Sequence, residues 1–137
     1  MKREAKYPET SSFHFHNQNP RNRVTGDCVF RAISLATGKP YNECVMEMAK
    51  KMCETGYVMN DKKGEDAYLK SIGWIKQKQP KKPDGTKYTG REWVRIFKGT
   101  CVAHIGGHHM VCIKDGKVWD TWDSTGGCVG VYWIKED

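Results

Sequence analysis

Cys28 follows Gly26-Asp27 directly and opens the stretch CVFRAISLAT, whose apolar residues recur at helical spacing. A thiol in the first turn of a helix meets unclaimed N–H groups and the positive end of the helix dipole, and both favour its thiolate. Gly26 carries no side chain just where a substrate backbone would have to approach. A thiolate nucleophile needs an imidazole to hold its charge and later to give a proton to the leaving group. Of the five histidines, His14, His16, His104, His108 and His109, the last opens a run HMVCIK that faces KVWDTWD across Asp115-Gly116. Counting back from that two-residue turn pairs Ile113 with Val118, Val111 with Asp120 and His109 with Trp122. His109 and Asp120 then share one face, a diagonal step apart, and the carboxylate can orient the ring through its second nitrogen. A single bulge near Thr121 would bring Asp123 round instead, so both carboxylates stand as candidates. The chemistry of such a set is acyl transfer through a thioester.

The elements that must carry these residues can also be read. Residues 1–24 lack periodicity and read as an extended arm or short edge strand, in which Phe13 and Phe15 alternate with two histidines. From Thr25 to the C-terminus the chain reads as one domain, 25–137. Thr25 or Asp27 can cap the first helix, and Gly38 can end it. Pro40 starts a second helix, YNECVMEMAKKM, and GEDAYLKSIG gives a third. KQKQPKKPDGTKYTG reads as an exposed basic loop, and REWVRIF as one more short helix. The last third, TCVAHI, HHMVCIK, KVWDTWD and CVGVYWIKE, reads as strands, and Asp115-Gly116 as a type I′ hairpin turn. The expected class is α+β, with N-terminal helices packed on a C-terminal antiparallel sheet.

The order of the candidate residues, a helix-start cysteine followed about 80 and 90 residues later by His and Asp, is that of the papain-like thiol hydrolases. The segments GDCVFRAISLATGKPYNE and GGHHMVCIKDGKVWDTWDS also resemble the two signature segments of a small family of phage and bacterial proteins. The fold of that family is similar to the papain-like cysteine peptidases, including the domains that trim bacteriocin leader peptides. Its pattern falls here on Gly26-Asp27-Cys28, on Arg31-Ala32, on Gly107 to His109 and on Asp120 to Asp123. The resemblance implies Cys28 as nucleophile, His109 as general base and acid, and Asp120 or Asp123 as the orienting carboxylate. Papain-like enzymes also carry a Gln six residues before the cysteine, whose amide helps hold the oxyanion. Asn22 occupies that position, one methylene shorter, and Gln18 is a more distant candidate.

Composition bounds the alternatives. The chain has 137 residues, 38% of them hydrophobic, with 23 Lys and Arg against 16 Asp and Glu for a net charge of +7. No apolar run approaches the roughly 18 residues of a membrane span, and the charged N-terminus has no signal-peptide core, so a cytoplasmic location is expected. Cys28, Cys44, Cys53, Cys101, Cys112 and Cys128 make no C-x-x-C pair, and all but the first read as packing thiols. The cluster of His104, His108, His109, Cys101 and Cys112 matches no zinc spacing, and no cofactor is implied. A protein or peptide substrate is the expected partner. Lys76, Lys78, Lys81, Lys82, Lys87 and Arg91, with Trp74, Tyr88 and Trp93 nearby, offer the rival of a nucleic-acid or acidic-partner module. A catalytically silent papain-like binding module is the second rival.

Overall fold

Val29, Ala32 and Ile33 bury one stripe of α2 (Cys28–Thr37), the helix that the sequence marks most strongly. In the computed structural model, which describes residues 2–136, it is preceded by α1 (Arg3–Lys6) and β1 (Phe13–Phe15). There follow α3 (Tyr41–Thr55), α4 (Lys62–Ser71), β2 (Trp74–Gln77), α5 (Gly90–Trp93), β3 (Cys101–Ile105), β4 (His109–Lys114), β5 (Lys117–Asp120) and β6 (Val129–Lys135). Asp61 caps α4 by accepting from the Lys63 amide, and Thr89 and Glu92 form a capping box on α5. α5 covers only the start of the REWVRIF segment.

The molecule is a mixed α+β fold with one six-stranded sheet in the order β1-β5-β4-β3-β6-β2. The four C-terminal strands pair antiparallel in its middle. The short edge strand expected around Phe13 and Phe15 is present as β1, but its parallel pairing and the strand β2 at the opposite edge correct the expectation of a C-terminal, antiparallel sheet. At one edge β1 runs parallel to β5, with Phe13 opposite Val118 and Phe15 opposite Asp120. At the other, β2 pairs antiparallel with β6, and its Lys76 and Gln77 correct the start of the segment expected to be an exposed loop. The loop itself closes on a bridge between Lys81 and Lys87.

The β4–β5 register is the one the turn dictates, Ile113 opposite Val118, and Asp115 and Gly116 both take the positive φ (53° and 72°) of a type I′ turn. Side-chain alternation divides the core. Val102, Met110, Cys112 and Trp133 face α2, α3 and α4, where Cys44, Met48, Tyr68 and Leu69 cover them. Ala103, Val111, Ile113 and Val118 face Trp93, Val94 and Phe97 on the other side. Among the described residues no helix is long and apolar enough to cross a membrane.

Candidate active site

His109 is the first residue of β4 and Asp120 the last of β5, so both stand at the end of the sheet where α2 begins with Cys28. The imidazole Nε2 lies 2.5 Å from Asp120 Oδ2, and the Cys28 thiol is near enough to the same ring for each to shift the other's titration. With Nε2 engaged by the carboxylate, Nδ1 is the nitrogen left for sulfur. The Trp122 ring lies against the imidazole, centroids 5.0 Å apart at 41°, and shields one side of the pair. Trp119 takes the other position that alternation offers and meets His14 at a tilt and His16 edge-on.

The electrostatics follow from this packing. Burial alone would push the Cys28 thiol up, but the His109 hydrogen bond, the Met110 backbone and the charges of His109 and Arg31 outweigh it and hold the thiol below its ordinary value. Burial would likewise lower His109, and its bonds to Asp120 and Cys28 instead raise it to about 9. Asp120 is only 1% exposed, yet His109, the Thr121 amide and Arg31 keep its carboxyl below the usual range. Each of its oxygens accepts twice. Oδ1 takes Arg31 Nη1 at 3.0 Å and the Thr121 amide at 2.7 Å, and Oδ2 takes His109 and, at 2.9 Å, Ser124 Oγ.

Of the two candidate carboxylates, Asp120 is the one at the imidazole. No bulge interrupts the β4–β5 pairing, and Asp123 instead accepts from the amide and hydroxyl of Thr125 at 3.0 and 2.5 Å. Asn22 does not join the site. It sits exposed at φ 53° in a turn closed by its own amide on Asn19 O, and its Oδ1 accepts from Asn17. That turn takes up the residues between Asn19 and Asn22, so a six-residue count back from Cys28 falls on the surface. Gln18 lines a cavity of about 10 Å³, room for one water, together with His16, Cys28, Arg31, Trp119 and Asp120. Its Oε1 accepts from His16 Nε2 at 2.7 Å, leaving the amide NH₂ to donate.

Arg31 and Ser124 carry no role in the sequence reading. The i,i+4 spacing of Asp27 and Arg31 was the available signal for the first; their ion pair is 2.8 Å long. Asp27 occupies the N-cap position of α2, but its side chain makes no capping bond and turns to Arg31 instead. All six cysteines are free, with Cys44, Cys101 and Cys112 buried. Burial pushes the Cys112 thiol up to about 12, the opposite of Cys28. No group of three or more His, Cys, Asp or Glu is placed to hold a metal among the described residues. In the basic stretch, Lys76 pairs with Asp66 and Lys82 with Glu92. No protein-family model matches the chain, and no curated protein or solved structure was found to be similar to it.

Proposed function

We propose that the chain is a cysteine-dependent hydrolase of papain-like design, a peptidase or amidase working through Cys28, His109 and Asp120. The observation that carries this reading is a single imidazole bonded at one nitrogen to a buried carboxylate and standing beside a helix-start thiol. The opposed shifts of Cys28 and His109 favour a thiolate–imidazolium pair as the resting state. The Cys28 sulfur attacks an amide carbonyl carbon, forming the C–S bond while the carbonyl π pair moves to oxygen. The Cys28 amide and the side chain of Gln18, which lines the same small cavity as Cys28, supply the donors for that oxyanion, and Gln18 takes the part first considered for Asn22. On collapse the C–N bond breaks and His109 Nδ1 gives its proton to the departing amine. The imidazole, now neutral, takes a proton from water, which attacks the thioester; the acid leaves and the thiolate returns. Asp120 holds the Nε2–H tautomer throughout. A cytoplasmic location and a protein or peptide substrate complete the proposal.

The test is alkylation by iodoacetamide across pH, read residue by residue. Cys28 is expected to react well below pH 8.5 and ahead of the exposed thiols Cys53 and Cys128, and His109→Ala removes that lead. Equal rates at the three thiols would refute the reading and favour a silent binding module.

A further inference from the structure

Arg31 lies one turn after Cys28 on α2 and is buried, an expensive place for a guanidinium unless its donors are matched. They are matched by two carboxylates at different points of the site. Nε donates to Asp27 Oδ1 at 2.8 Å, and Nη1 to Asp120 Oδ1 at 3.0 Å. Asp27 immediately precedes the nucleophile, and Asp120 stands behind the imidazole. The fork therefore spans from the helix start that presents the thiol to the strand end that aims the base. Asp27 is itself held from behind, its Oδ2 accepting from Tyr41 OH at 2.7 Å and Asn19 Nδ2 at 3.1 Å.

We propose that Arg31 is a positioning residue of the thiol site: its guanidinium keeps Asp120 a fixed anion behind His109 and locks it to Asp27, so that one buried fork sets nucleophile and base relative to each other. The inference rests on the hydrolase reading above and adds a residue to it. A packing role would be met by the Asp27 pair within α2; the bond to Asp120, 89 residues away, is what that role does not require. The need arises from the cycle. Each time His109 gives up its proton, Asp120 loses its nearest cation while still buried, and a carboxylate in that position tends to take up a proton. Arg31 does not titrate in the working range and so supplies a constant positive charge. Lysine would keep the charge but not the fork, because a single ammonium cannot reproduce the two directed contacts.

The experiment compares the pH profile of Cys28 alkylation in the full chain, Arg31→Met and Arg31→Lys, with Cys53 as the internal reference and circular dichroism as the measure of folding. Arg31→Met is expected to move the Cys28 profile about one pH unit upward, about tenfold slower labelling at pH 6. Arg31→Lys should fall between, and Cys53 should not move. A lower melting temperature with a Cys28 profile that superimposes on that of the unaltered chain would mean a structural role only and overturns the proposal. Should Arg31→Met fail to fold, Arg31→Lys decides on the same comparison. If Cys28 in the unaltered chain is no faster than Cys53, the hydrolase reading itself fails, an outcome visible without any Arg31 variant.

Discussion

The His109 ring is held by the buried Asp120 carboxylate and stands beside the Cys28 thiol, and its charge is therefore tied to pH in a definite direction. Its raised value, about 9 against an ordinary 6.5, means that folding favours the imidazolium. The stability this contributes is fully present below pH 6.5 and is lost as pH rises through about 9. His109→Gln should accordingly flatten the fall in melting temperature between pH 7 and 10 that the unaltered chain shows, as thermal melts across that window would record. Hydrolysis should decline over the same alkaline range, because a neutral imidazole has no proton for the leaving amine. Cys28 and His109 were legible as residues because each obeys a local rule, a helix start and the first strand of a hairpin. Gln18 was only half legible. Its distance from the thiol depends on a turn at Asn19–Asn22, and a count along the chain does not see turns.

Among the elements, α4 is joined to the sheet by a contact that no local pattern announces. Glu65 and His104, 2% and 4% exposed, meet at 2.6 Å between helix and β3, with Trp133 against the imidazole. The two residues are 39 positions apart, and neither has a neighbour in sequence that hints at the other. Glu65→Leu leaves His104 buried without its partner and should cost about 3 kcal/mol, measured by urea unfolding. Cys28 labelling should be unchanged in the folded variant, since α4 does not line the thiol site. The same reasoning explains why β2 was missed. Trp74–Gln77 runs into a lysine-rich stretch, and only its pairing with β6, far along the chain, makes it a strand. The hairpin was visible because its partners are adjacent and its turn residues are specific to one geometry.

At the scale of the whole molecule, the first residues of the chain and the last strands build one sheet. Phe13 is fully buried, and the His16 amide donates to Asp120 O at 2.9 Å, so the segment read as an arm or short edge strand braces the strand that carries Asp120. Phe13→Ala should cost about 3–5 kcal/mol in urea unfolding and also reduce the lead of Cys28 in alkylation, because loosening β1 frees the end of β5. Core substitutions of equal cost on α3 should leave that lead intact. The net charge of +7 takes little part in this: two of the lysines in its basic stretch are paired, and Cys28, His109 and Asp120 lie toward the other end of the sheet order. The parallel pairing of Phe13 with Val118 also has a consequence in time. Contacts of such long sequence separation form slowly and late. During synthesis the helix that bears Cys28 leaves the ribosome about 80 residues before His109 and longer still before Asp120 is braced. On the proposed mechanism the nascent chain therefore carries Cys28 without its base, and the thiol meets His109 and Asp120 only once β5 has emerged and closed onto β1.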